Sequence, residues 1–278
     1  MRSVTDTVLI SANKRRRSTG LHELWVYREL FYYFAWRDIK VRYKQTVLGV
    51  GWAILQPMIT AAIFTVFFNR VAKIDTGSLS VPYPVFVYLG LTLWGAFSSA
   101  TTSVSNSILS NSGVVNKIYF PRIILPLAST ALTVVDFFFA IIVFFLLLII
   151  FGVSVSLLGY VLLLPMLILI IFTALGMGLL FAALNVKYRD VRSALPFIIQ
   201  AMFFMTPVIY PVTMIPDKYQ MLVYLNPAAG PISTVKAAFF SQPIPWNGLA
   251  LSFTVSLILF IVGYIAFKRA ERHFPDYL

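Results

Sequence analysis

Six long apolar stretches separated by short polar breaks constrain this chain more than any other feature. They run roughly over Gly49–Val71, Val85–Leu109, Ile123–Phe151, Leu157–Leu184, Ala194–Tyr210 and Gly248–Phe267. A bilayer core of ~30 Å takes about 20 helical residues to cross. Five of the six stretches reach that length, and Ala194–Tyr210 sits near the lower limit. In lipid the backbone is satisfied only within helices or closed barrels, and a barrel needs alternation rather than continuous apolar runs. The pattern predicts an all-α polytopic membrane protein with six transmembrane helices.

Charge then orients the spans. The net charge of +12 is carried on a chain that is 59% hydrophobic and 12% charged. Ten Lys/Arg precede residue 47, and further cations follow the second span (Lys117, Arg122), the fourth (Lys187, Arg189, Arg192) and the sixth (Lys268, Arg269, Arg272). That places 18 of the 22 cations on one side; Arg70, Lys73, Lys218 and Lys236 fall in the alternate loops. The positive-inside rule predicts that both termini are cytoplasmic. A charge distributed in this way reports topology, so nucleic acid is not an expected partner. No cysteine is present, which excludes disulfides and thiolate metal sites. The basic N-terminus has no apolar region with a cleavage site behind it, and no cleavable signal peptide is expected.

Three units follow from composition. Residues 1–20 form a basic cytoplasmic tail, whose block Lys14–Arg17 suits either anionic lipid or a specific contact. Residues 21–46 interleave aromatics with charges: on a helix Trp36, Ile39 and Tyr43 share one face, and Arg37, Lys40 and Lys44 another. Such a helix lies in the membrane interface, either as an anchor or as a lever toward a cytoplasmic partner. Residues 47–278 hold the six spans. Gly49 and Gly51 flank the turn into the first span, where Pro57 removes a backbone donor.

Polar positions inside the apolar frame mark the candidates. The second span carries Ser98, Ser99, Thr101, Thr102, Ser103, Ser105, Asn106 and Ser107, which suit either close helix packing or a wet conduit. Asn111–Arg122 and Asn185–Arg192 are short cytoplasmic connections fit to touch another protein. Asp136 is the acidic residue well inside a span, a functional-site candidate by default. No intramembrane cation offers it an obvious partner. It is expected to be protonated or bonded to Ser129, Thr130 or Thr133 one to two turns earlier. The segment Pro211–Trp246 is too apolar for an ordinary loop and too short in either half to span; two re-entrant helices between spans five and six are expected.

Enzymatic signatures are missing. No Gly-x-x-x-x-Gly-Lys-[Ser/Thr] phosphate loop occurs, and His22 and His273 make no metal spacing. The outer face offers Asp75 and Asp217 as carboxylates, thin material for a glycosyltransferase. One intramembrane carboxylate is equally thin for an ion-coupled carrier. Elimination puts the energy source on a separate subunit.

The run Arg37-Asp-Ile-Lys-Val-Arg-Tyr-Lys-Gln-Thr-Val-Leu-Gly-Val-Gly-Trp-Ala-Ile-Leu-Gln-Pro57 resembles the opening motif of ABC-2-type permeases, in particular their polysaccharide-export branch. Asn185–Val191, followed by Pro196, Gln200 and Thr206–Pro211, resembles the second signature of that branch, and Leu225-Asn226-Pro227 with Pro231 the third. Ser233 and Lys236 depart from the acidic residue and arginine of that pattern. The resemblance implies a homodimer in the bacterial inner membrane, paired with two copies of a cytoplasmic ABC ATPase that binds the ATP and Mg²⁺. This chain would carry no cofactor, metal or catalytic residue. The cargo would be an O-antigen-like polysaccharide on a polyprenyl diphosphate, moved from the cytoplasmic leaflet outward. It places Arg37, Lys40, Asn116, Lys117, Tyr119, Arg189 and Asp190 at the ATPase coupling surface. Leu48 and Gly49 fall at an inner gate (a tight turn is the plainer alternative), and Pro227 at an outer one. Aromatic rings give a sugar chain contacts that tolerate sliding, so Trp94, Phe97, Phe203, Phe204 and Tyr210 are candidate lining residues, although rings at span ends also form ordinary interfacial belts. The rival readings are a permease for a drug or free lipid, and a membrane enzyme acting on lipid-linked sugars.

Overall fold

Helix boundaries fall where local chemistry ends them. The computed structural model describes residues 25–44, 49, 51–67, 81–118, 120–188 and 190–274, and the described residues form helices joined by short turns with no strand. Helix α1 spans Arg28–Lys44, α2 Gly51–Phe64, α3 Tyr83–Ser110, α4 Ser112–Val115 and α5 Ile124–Ile150. They are followed by α6 Leu157–Lys187, α7 Val191–Met205, α8 Asp217–Val223, α9 Ala229–Phe239 and α10 Trp246–Ala270. Gly49 adopts φ +48° ahead of α2, and Gly152 φ +62° just past α5, left-handed positions that a Cβ disfavours. The Ser156 hydroxyl accepts from the Leu158 amide at the start of α6, filling one orphan donor. Helix α7 stops at Met205 because Thr206 precedes Pro207, which pushes it to an extended ψ of 139°.

Helix α6 is the spine, packed against α3, α9 and α10. Its contact with α10 depends on missing side chains. A Cβ on Gly263 would overlap the Gly176 carbonyl oxygen, and one on Gly176 would reach the Phe260 backbone at 2.7 Å. That closeness allows Phe172 to stack on Phe260 at 4.4 Å between centroids and the hydroxyls of Thr173 and Ser256 to bond at 2.8 Å. Small residues of this kind let helices associate where no hydrophobic drive separates helix from lipid.

The core has two parts. One joins Phe34 and Ala35 of α1 to Ile108, Val115, Phe120, Ile124, Leu179, Phe267 and Phe274; this is the α1 end of the bundle. The other joins the first half of α3 to Phe144, Phe203, Val208, Ile232, Val235 and Phe239; this is the hairpin end, named for α8 and α9.

Among the described residues, four helices are long and apolar enough to cross a membrane: Tyr83–Ser110, Ile124–Ile150, Leu157–Lys187 and Trp246–His273. The first and fifth expected spans appear as shorter apolar helices, Gly51–Phe67 and Val191–Met205. Turn chemistry shortens the fifth at Thr206-Pro207; residues 68–80 lie outside the described set. The expected pair of helices between Pro211 and Trp246 is present as α8 and α9.

Candidate functional site

At the α1 end, the described part of the interfacial segment packs lengthwise on α5. Phe34 meets Phe120, in the turn before α5, at 5.9 Å between centroids, and nine residues later Tyr43 meets Phe139 of α5 at 6.4 Å. About 13 Å of α1, at 1.5 Å per residue, separates the two contacts. The Arg37 guanidinium donates to Asp38 Oδ1 and to Asn111 Oδ1, both at 2.7 Å, which ties α1 to the end of α3. Asn111 in turn donates to the Ser107 carbonyl at 2.8 Å. Arg122 donates to the Glu271 carbonyl, and its backbone amide to Glu271 Oε1, joining the α4–α5 turn to the end of α10.

The same end corrects the reading of Asp136. Its partners come from α1: Arg42 Nη2 lies 3.0 Å from Oδ2, and the Tyr43 hydroxyl donates to Oδ1. The hydroxyls expected to serve it are engaged elsewhere. Ser129 donates to the Pro126 carbonyl, Thr130 to the Leu127 carbonyl, and Thr133 to Ser99. No intramembrane cation was needed, because the cation arrives on a neighbouring helix. Burial, and next the bond to Asp136, push the Tyr43 phenol above its usual range, so it is held as a proton donor.

Of the residues assigned to coupling, Arg37 is part-buried in the network above, and Lys40, Asn116, Lys117 and Asp190 are exposed. Lys40 lies over the Trp36 ring at 5.3 Å. All five stand at or near this end, with α6 held there by Asn185, which donates to Ser105 Oγ of α3 at 2.6 Å. Tyr119, Arg189 and Leu48 lie outside the described residues.

At the hairpin end, polar side chains are buried and bonded inward. Lys236 of α9 is 4% exposed. Its ammonium donates to the Pro207 carbonyl at 3.0 Å and the Val208 carbonyl at 2.6 Å, and sits 3.6 Å from the Phe86 ring centroid. These carbonyls lie just past the C-terminus of α7, the negative end of its dipole. The recess that admits the ammonium exists because position 90 is glycine; a Cβ there would come within 2.9 Å of Lys236 Nζ and overlap the Val208 oxygen. Asn226 donates to Thr206 Oγ1 at 2.6 Å and to the Met202 carbonyl at 3.1 Å. Ser252 of α10 donates to the Tyr224 carbonyl and accepts from the Gly230 amide. Pro227, assigned to the outer gate, is buried within this group.

The candidate lining rings divide. Trp94, Phe97 and Phe203 pack on one another, with Trp94 5.2 Å from Phe97 and 5.6 Å from Phe203. Phe97 is 0% exposed. A partner chain only adds burial, so in this conformation Phe97 is core, and Trp94 and Phe203 are nearly so. Phe204 is exposed, and Tyr210 is part-exposed with its hydroxyl donating to the Phe204 carbonyl. The clamp of Lys236, the bonds of Asn226 and the Asp136 pair were not read from the sequence as bonded groups. The apolar segment after Tyr210 marked the hairpin, but nothing in the order of residues says that Lys236 reaches back about 29 positions to the end of α7.

Among the described residues no group of three or more His, Asp or Glu is placed to hold a metal. A family model described as ABC-2 type transporter matches residues 29–240. The chain is 29% identical over 244 residues to the O-antigen export system permease protein RfbA of Klebsiella pneumoniae, covering 87% of this chain and 92% of that one. It is 25% identical to the protein of that name from Myxococcus xanthus over 260 residues, 92% of this chain and 98% of the other. The polysialic acid transport protein KpsM of Escherichia coli is 24% identical over 240 residues, 85% of this chain and 91% of its own length.

Proposed function

Because the chain belongs to the ABC-2 type transporter family, we propose that it is the membrane subunit of an ATP-driven exporter that moves a polyprenyl-diphosphate-linked, O-antigen-like polysaccharide across the inner membrane. One observation carries this reading: relatives named for O-antigen export and polysialic acid transport align along almost the whole chain. A homodimer working with two ATPase subunits completes the machine, and ATP and Mg²⁺ sit on the partner.

The geometry fits such a division of labour. The α1 end gathers short connections and exposed polar groups, Lys40, Asn116, Lys117 and Asp190, where a stroke from the cytoplasm arrives. The two short apolar helices α2 and α7 complete a count of six spans, and α8–α9 form a re-entrant hairpin at the outer side. Gln56 of α2 and Gln200 of α7 are exposed. An amide unserved in lipid costs on the order of 2 kcal/mol or more, so these faces suit a hydroxyl-bearing polymer better than acyl chains. Phe204 adds an exposed ring on α7. In this reading the inner gate is assigned to Leu48 and Gly49 and the outer gate to the turn around Pro227. Residues 1–20, 21–46 and 47–278 act as tail, lever and transport domain, with both termini cytoplasmic.

The test is depletion of the chain in its native cell. Lipid-linked polysaccharide accumulates inside and surface polymer falls, and both recover on re-expression. Unchanged surface glycan after verified depletion overturns the reading.

A further inference from the structure

Asp136 is the carboxylate that a transport mechanism leaves without a role, and its surroundings supply one. We propose that Asp136 is a positioning residue that locks the α1 lever to α5, so that a push on α1 moves the membrane helix as one piece. The inference rests on the export reading above, because a lever needs a load.

Helix α1 is fastened to α5 at two heights. The lower contact is apolar, Phe34 against Phe120 in the turn that leads into α5. The upper one is ionic, with two consecutive residues reaching one carboxylate: Arg42 on Oδ2 and Tyr43 on Oδ1. An apolar contact alone resists separation but lets a helix slide or roll. Two donors from adjacent positions, which diverge by about 100° around the helix axis, fix rotation as well as height. Asp136 lies twelve residues into α5, about 18 Å from its start, so force applied there acts deep in the bundle rather than at its rim.

Burial keeps the lock closed. The Asp136 side chain is 16% exposed and that of Arg42 45%. Parting them strands a carboxylate among apolar helices, since Ser129, Thr130 and Thr133 already donate elsewhere. The lock also stands at the last turn of α1, immediately before the segment that leads through Gly49 into α2. Motion of α1 is therefore delivered to α5 and to the start of α2 together.

The experiment uses the full chain with its ATPase in cells lacking the native copy, and compares Asp136→Asn, Arg42→Gln, Arg42→Lys and the exchanged pair Asp136→Arg with Arg42→Asp. Surface polymer, complex abundance and ATP hydrolysis of the purified complex are measured. Asp136→Asn and Arg42→Gln are expected to assemble and hydrolyse ATP, with polymer exported per ATP reduced about tenfold, in the range of close pairwise couplings. Arg42→Lys and the exchanged pair are expected to regain most of that ratio. If Asp136→Asn does not accumulate, Arg42→Gln against Arg42→Lys decides the matter by the same ratio. Cells in which the wild-type chain itself yields no surface polymer overturn the export reading and the lock with it. Wild-type export per ATP in Arg42→Gln, in cells where the wild-type chain exports, overturns the lock alone.

Discussion

Both ends of the bundle hold a basic side chain against oxygen acceptors, and they do so under opposite conditions. At the α1 end, apart from the Arg42–Asp136 lock on a carboxylate only 16% exposed, Arg37 keeps 32% of its side chain exposed while paired with a 28% exposed Asp38. At the hairpin end Lys236 is 4% exposed and has backbone carbonyls rather than a carboxylate as acceptors. Exposed ion pairs contribute about 0–1 kcal/mol. A buried ammonium stripped of its partners costs several kcal/mol. The first kind of contact exchanges partners readily, and the second holds one geometry. The difference teaches where the molecule gives: the Arg37 junction of α1 with the end of α3 is adjustable, and α9 hangs on the end of α7 as a fixed body.

The largest effect expected from this contrast comes from two glycines of opposite surroundings. A Cβ at Gly90 runs into the Val208 carbonyl and Lys236, whereas one at Gly113, in α4, meets nothing within 4 Å. Gly90→Val is expected to destabilise by about 3 kcal/mol or more, as forced overpacking does, and to be depleted from membranes. Gly113→Val is expected to accumulate normally, with a thermal midpoint close to wild type. Equal tolerance at both positions would break the comparison at its root.

Next in size is the clamp itself. Lys236→Ala leaves the Pro207 and Val208 carbonyls bare beside a void, at a cost of about 3–5 kcal/mol. Lys236→Met keeps the stem and removes the charge, so it is expected to cost less, about 1–3 kcal/mol for acceptors left unpaired. Thermal unfolding of the purified protein ranks the two. A Met variant as stable as wild type would mean that the fixed body owes nothing to its cation.

These two regions were unequally legible in the sequence. Apolar run length exposed the four long helices, and the apolar segment after Tyr210, too short in either half to span, exposed the α8–α9 pair, because both signals are local. The shortness of α7 was also written locally, in Thr206-Pro207, but a long apolar run masks it. The partners of Asp136 were not legible: Tyr43 lies 93 positions away, and only the packing of α1 along α5 brings it near. The mutual packing of Trp94, Phe97 and Phe203 was not legible either, since an aromatic ring looks the same in sequence whether it faces a conduit or its neighbours. The hydroxyl run of the second span resolves toward packing: Thr101 and Ser107 return to backbone carbonyls of their own helix, and Ser105 receives Asn185.

The smallest expected effect is the most discriminating, because it concerns the adjustable end alone. Arg37 bridges Asp38 and Asn111 with both members of its ion pair about 30% exposed, at 32% and 28%. Arg37→Gln removes a pair worth about 0–1 kcal/mol, so amide-exchange protection along α1 is expected to fall by no more than about fivefold. Salt should mimic the mutation. At 1 M the screening length shrinks to about 3 Å, so wild-type α1 is expected to loosen by a similar factor and Arg37→Gln to respond little further. The amides of α9, held by a buried clamp, are expected to keep their protection under both treatments. If salt loosens α9 as much as α1, the two ends are not mechanically distinct. If Arg37→Gln leaves α1 protection within this small range while cutting ATPase association tenfold or more, the role of Arg37 lies at the coupling surface and not in holding the fold.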